Sequence, residues 1–130
     1  LNLGVTGALP TSWIPEPSVR LTLYVRLSRL ASEAEIDAFE EELVDRFGPL
    51  PNAARTLMGT ARLRLAASAA RVARIDAGPA AIAFTPRADC SIDPEEAQLT
   101  AKDDRLLLME AVSEDQRIER IHALLEEWTP

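Results

Sequence analysis

A chain of 130 residues with 47% apolar and 27% charged residues holds one domain's worth of core, and with only three Phe, two Trp and one Tyr its interior must be built from Leu, Ile, Val and Ala. Fourteen bases against twenty-one acids give a net charge of −7, with the excess in residues 66–130 (seven bases, thirteen acids), a balance that disfavours direct contact with a phosphate backbone. The single Cys90 excludes an internal disulfide or a cysteine metal cluster and suits a reducing cytoplasm, while the lack of any apolar run of about 18 residues excludes a transmembrane helix.

The chain opens at Leu1 without Met, inside an apolar stretch and with no visible secretory leader. This reads as one domain, residues 1–130, cut from a longer protein. Alternating Leu1, Leu3 and Val5 predict a strand over residues 1–9, at a sheet edge because of its glycines. Pro10, Pro15 and Pro17 hold an extended linker anchored by Trp13 and Ile14. Pro17 then opens a first helix running to about Leu30. Val19, Leu23, Leu27 and Leu30 share its buried face, and Leu21 and Val25 widen the stripe, which predicts cover on more than one side.

The second helix has the clearest start and stop. Ser32 and Glu35 form a capping box. Ile36, Phe39, Leu43 and Phe47 make the buried stripe, Gly48 stands at the expected C′ position and Pro49 bars continuation. A third helix extends from Pro51 to about Ala70, with Ala54, Leu57, Met58, Ala61 and Leu65 inward and Arg55, Arg62, Arg64 and Arg71 around it.

From Val72 the period changes to that of strands. Residues 72–77 and 81–85 predict a hairpin turning at Gly78-Pro79. Residues 87–97 are breaker-rich and read as a loop. Residues 98–102 and 105–112 predict a second strand pair around Asp103-Asp104, although the run Leu106-Leu107-Leu108-Met109 also suits a helix. Ser113 to Gln116 repeats the capping-box pattern before a last helix with Ile118, Ile121, Leu125 and Trp128 inward. The fold class is therefore α+β: three consecutive helices and a C-terminal helix packed with a small, mostly antiparallel sheet.

Chemical signatures are sparse. No phosphate-binding glycine loop of either common type occurs. His122 and Cys90 are the only imidazole and thiol, too few for a zinc site or a nucleophile with an oriented base. The domain is accordingly expected to be no enzyme, with no catalytic, cofactor-binding or metal-binding residues. What stands out is the second helix, with seven acids and one base. Glu42, Asp45 and Arg46 lie at i, i+3 and i+4 on one outward strip. A Glu42–Arg46 pair alone stabilises a helix by only about 0.3–0.5 kcal/mol. Asp45, an anion near the helix C-terminus, opposes the macrodipole and suits a basic partner.

Three segments in order, Trp13-Ile-Pro15, Arg20-Leu-Thr-Leu-Tyr-Val-Arg-Leu27 and Glu42-Leu-Val-Asp-Arg-Phe-Gly-Pro-Leu-Pro51, resemble the C-terminal (TRCF) domain of the bacterial transcription-repair coupling factor (Mfd) family. The resemblance covers residues 1–86; beyond Arg87 the chain departs, because the segment between the two strand pairs is shortened. It implies that the parent is an ATP-dependent DNA translocase, with ATP and Mg in a motor elsewhere in the chain. Such a parent releases stalled RNA polymerase and recruits nucleotide-excision repair through UvrA. It also implies that this domain docks on the UvrB-homology domain of the same protein and masks its UvrA-binding surface, with no cofactor of its own. The polar contact maps onto Glu42, Asp45 and Arg46, the carboxylates accepting from the partner and Arg46 pairing outward or orienting Asp45. A purely structural C-terminal role, and a DNA contact through the Arg-rich third helix, are the alternatives.

Overall fold

The computed structural model describes residues 1–130. The chain forms two compact units, a helical unit of Thr6–Leu65 and a sheet unit of Leu1–Val5 with Ala66–Pro130. No helix is long and apolar enough to cross a membrane. Together they make the α+β composition read from the sequence: four helices and one four-stranded antiparallel sheet.

The helical unit contains α1 (Pro17–Ser28), α2 (Glu33–Phe47) and most of α3 (Asn52–Ala69). Pro17 occupies the first turn of α1, where its missing N–H costs nothing. Ser32 caps α2 by accepting from the Glu35 amide at 3.2 Å. The Glu35 carboxylate reaches back to the amide of Ala31 at 2.7 Å, one residue earlier than the reciprocal box would place it. At the other end Gly48 takes φ +93° and donates to the Val44 carbonyl, a conformation that glycine adopts without steric penalty.

Leu23, Leu27, Ile36, Phe39, Leu43 and Met58 form the centre of this core, with Leu9 and Ile14 brought in by the preceding segment. Tyr24 lends its hydroxyl to the Leu9 amide at 2.8 Å, which fixes that entry. One expectation fails on α1. Leu21 is 65% and Val25 40% exposed, so the helix is covered on one side only within its unit. Two aliphatics at i and i+4 extended the apparent stripe, but Leu23 and Leu27 are the residues of α1 that the core buries.

The sheet unit carries β1 (Val72–Ala77), β2 (Ile82–Pro86), β3 (Thr100–Lys102) and β4 (Arg105–Leu108) in the order β1-β2-β4-β3. The two hairpins turn where the sequence places them. Gly78 closes the first by donating to the Ala81 carbonyl, and Lys102 pairs with Arg105 across Asp103-Asp104. Asp103 holds φ +56°, a left-handed conformation that Asp tolerates better than most residues. The Leu106–Met109 ambiguity resolves as strand through Leu108, because pairing with both β2 and β3 satisfies its backbone on each edge.

Helix α4 (Arg117–Trp128) buries Ile121, Leu124 and Leu125, and Trp128 meets Phe84 of β2 edge-on at 5.0 Å. It starts later than the second capping-box pattern predicts. Ser113 closes a turn through its carbonyl, and Gln116 precedes the helix without a side-chain cap. The predicted strand over residues 1–9 shrinks to a single parallel bridge between Asn2 and Asp76. Gly4, at φ +70°, ends it, and the Arg117 guanidinium donates to the Leu3 carbonyl at 3.0 Å in place of further ladder.

Candidate interaction surface

Helix α2 presents its polar side as three charge groups. On one flank Glu42 receives both arms of Arg26 from α1, at 2.6 and 2.8 Å, and a third bond from Arg46 at 3.2 Å. On another, Arg62 of α3 donates to Asp37 at 2.8 Å and to Glu40 at 3.1 and 3.3 Å. Asp45 and Glu41 are exposed, and no side chain of the chain pairs with either.

The geometry around Glu42 is well supported. Arg26 also lies over the Phe39 ring at 5.1 Å and Arg46 over Phe47 at 4.9 Å, so each guanidinium rests on an aromatic face. Phe47 is in turn held by Trp13, which meets its ring edge-on at 5.7 Å and donates from Nε1 to its carbonyl at 2.8 Å. The side chains nevertheless remain about 40% exposed, where water screens ion pairs and the stabilisation each gives is about 1 kcal/mol or less.

The hydrogen bonds from Arg26, helped by Arg46 and opposed by slight desolvation, pull the Glu42 carboxyl from its usual 4.5 to about 2. Glu42 therefore stays ionised throughout the neutral range and cannot exchange protons as a general acid or base there. The same bonds raise the Arg26 pKa. What remains is a fixed, ordered pattern of charge, which suits orientation of a partner rather than chemistry.

Of the three residues singled out by spacing, the structure joins Glu42 and Arg46 and leaves Asp45 uncommitted. Arg26 is the member that reading missed. A signal was present: α1 contains arginines and no acid, whereas α2 has a large acidic excess, and adjacent helices of opposite charge are expected to pair. The Arg-rich third helix is less open than its sequence looks, since Arg62 is committed to two carboxylates.

In the sheet unit a polar cleft of about 470 Å³ lies between α4 and the 96–100 segment. Its Arg120 and Glu110 engage each other through two bonds at 3.0 and 3.3 Å, which lowers the Glu110 carboxyl pKa. None of the residues anticipated from sequence lies there.

The fold and this surface define a small α+β module whose ordered polar face lies on a helical unit. The same architecture occurs in the crystal structure of the C-terminal domain of a transcription-repair coupling factor, with a TM-score of 0.79 at 16% identity over 98% of this chain and 91% of that one. The family model of the TRCF domain matches residues 3–97, and the chain belongs to that family. Among similar proteins are the transcription-repair-coupling factors of Haemophilus influenzae (40% identical over 78 residues, 60% of this chain) and Escherichia coli (42% over 64 residues, 49% of this chain). That of Mycobacterium tuberculosis is 36% identical over 102 residues, 78% of this chain. The chain spans only 6–8% of the length of these curated relatives. The family match reaches eleven residues past the 1–86 stretch in which the resemblance was read, into the loop after β2.

Proposed function

We propose that this chain is a regulatory, autoinhibitory interaction domain of a transcription-repair coupling factor, docking through α2 on the UvrB-homology domain of the same protein. There it masks the surface that UvrA would bind. The parent is an ATP-dependent DNA translocase acting on stalled RNA polymerase, with ATP and Mg held outside this domain. The observation that carries this reading is the ordered ion cluster Arg26–Glu42–Arg46 on an exposed flank of α2, in a chain of the TRCF family.

Charge at this density, left in solvent, contributes little to holding the helices together. It contributes more to steering and registering a partner, and contacts of that kind weaken as salt rises. A lock that must open is better served by such contacts than by a large apolar interface. Commitment of Arg62 to Asp37 and Glu40 supports protein docking over a DNA contact through α3.

The test is binding between the 130-residue chain and the UvrB-homology domain across a salt titration, with Asp45→Ala alongside. Docking through this strip gives affinity that falls steadily with ionic strength and falls again in the variant. Binding insensitive to both would favour the purely structural role.

A further inference from the structure

The outer face of the sheet, turned away from α4, carries a row of charge that docking through α2 does not use. Ile75, Phe84 and Leu106 are buried, and Phe84 meets Trp128 of α4. Side chains alternate along a strand, so their neighbours Arg74, Thr85 and Arg105 point the other way. The register brings these neighbours into line. Arg74 pairs with Thr85, the Phe84–Leu106 pairing sets Thr85 beside Arg105, and Arg105 pairs with Lys102. One residue from each strand thus forms the row Arg74–Thr85–Arg105–Lys102, about 14 Å across at the usual strand spacing. Its three cations are all exposed.

The row does little for the sheet that holds it. Arg105 and Lys102 stand directly opposite each other, and like charges so placed destabilise a strand pair. Neither is relieved by an ion pair, although Asp103 and Asp104 connect them; Arg74 alone has a partner, Asp76, at 2.8 Å. The net charge of the chain hides this arrangement. Of the seven bases in residues 66–130, Arg117 is buried, Arg120 engages Glu110 and Arg71 faces Asp89. Three of the other four make the row, while Glu119, Glu126 and Glu127 belong to α4 on the far side of the sheet. Cations in line with a hydroxyl among them are a donor set for phosphate oxygens. The row offers no aromatic ring on which a base would stack, and no apolar centre of the kind a protein interface needs.

We infer that this row is a sequence-independent contact for a nucleic-acid phosphate backbone. Arg105 and Lys102 are its principal donors, Arg74 extends the line and the Thr85 hydroxyl donates between them. The overall charge of −7 opposes the approach of a polyanion, so the row is an auxiliary contact rather than an anchor. It stands independently of the docking reading, because none of its residues belongs to α2.

The test titrates the 130-residue chain into a mixed-sequence DNA duplex of about 20 base pairs, from about 20 mM salt upward. Wild type should bind weakly at the lowest salt, with log K falling against log salt at a slope of about −2 to −3, the value for two or three neutralised phosphates. Lys102→Gln/Arg105→Gln should weaken binding about tenfold or more at the lowest salt and flatten the slope by about 2. The same variant should unfold no more easily than wild type, because it relieves a repulsion, and this separates lost contact from lost fold. Asp103→Asn/Asp104→Asn should tighten binding. Poly-L-glutamate, an acidic polypeptide without phosphate, should bind more weakly than the duplex. Absence of duplex binding at the lowest salt, binding that the Lys102/Arg105 variant leaves unchanged, or poly-L-glutamate bound as tightly as DNA would each overturn the assignment.

Discussion

Arg26 and Arg117 show the two units using the same side chain in opposite ways. In the helical unit Arg26 stays on the surface, joined to Glu42 through two short bonds with its side chain 43% exposed. In the sheet unit Arg117 is 6% exposed and meets no carboxylate. It donates instead to the Val112 carbonyl at 3.2 Å and the Leu3 carbonyl at 3.0 Å. The buried guanidinium replaces secondary structure, tying the first residues of the chain to α4 where a strand ladder would otherwise do so. The exposed one leaves its charge and that of Glu42 legible from outside. Arg117 is thus placed where it can serve stability alone, whereas the Arg26 pair lies where water screens what it adds to stability.

The sharpest way to break this contrast is to remove each arginine in turn. Arg117→Met strands two buried carbonyls, and urea unfolding should show a loss of about 3 kcal/mol. Gly7→Ala tests packing without charge: a Cβ there would run into the Leu57 backbone, at its amide nitrogen and Cα. Backbone cannot yield as a side-chain tip does, so about 2 kcal/mol should be lost by the same measurement. Ser32→Ala removes the α2 cap for about 1 kcal/mol. Arg26→Gln should cost less than about 1 kcal/mol and yet, on the docking reading, weaken binding to the UvrB-homology domain. A large loss of stability from Arg26→Gln would erase the distinction between the two units.

The smallest effect is in pH. Because the Glu42 carboxyl is depressed in the folded chain, its contribution to stability is fully present above its ordinary value of 4.5 and is lost as pH falls toward about 2. The Glu42 side-chain carboxyl carbon, followed by NMR, should titrate with a midpoint near 2 in wild type and nearer the ordinary carboxylate range in Arg26→Gln.

Much of this was readable in the residues because several local signals agreed. For α2 the Ser32 cap, the Ile36-Phe39-Leu43 stripe and Gly48 all marked the same helix, and turn chemistry placed both hairpins. The errors came where a local pattern met a tertiary alternative. Leu1, Leu3 and Val5 alternate like a strand, but Arg117 takes up the Leu3 carbonyl. Ser113 to Gln116 has capping chemistry, but it closes a turn before α4. Leu21 and Val25 have core spacing, and no core reaches them within their unit. At the candidate site, spacing along one helix found Glu42, Asp45 and Arg46. Arg26 reaches Glu42 from a different helix across sixteen residues of sequence, and periodicity within α2 contains no trace of it.

The most direct measurement of the central claim is the basal ATPase rate and UvrA affinity of the full-length protein carrying Glu42→Arg/Asp45→Arg, with the unfolding midpoint of the domain recorded beside them. Docking through this strip predicts that both rise while the unfolding free energy drawn from that midpoint stays within about 1 kcal/mol of wild type. A folded variant whose ATPase rate and UvrA affinity both match wild type would contradict it.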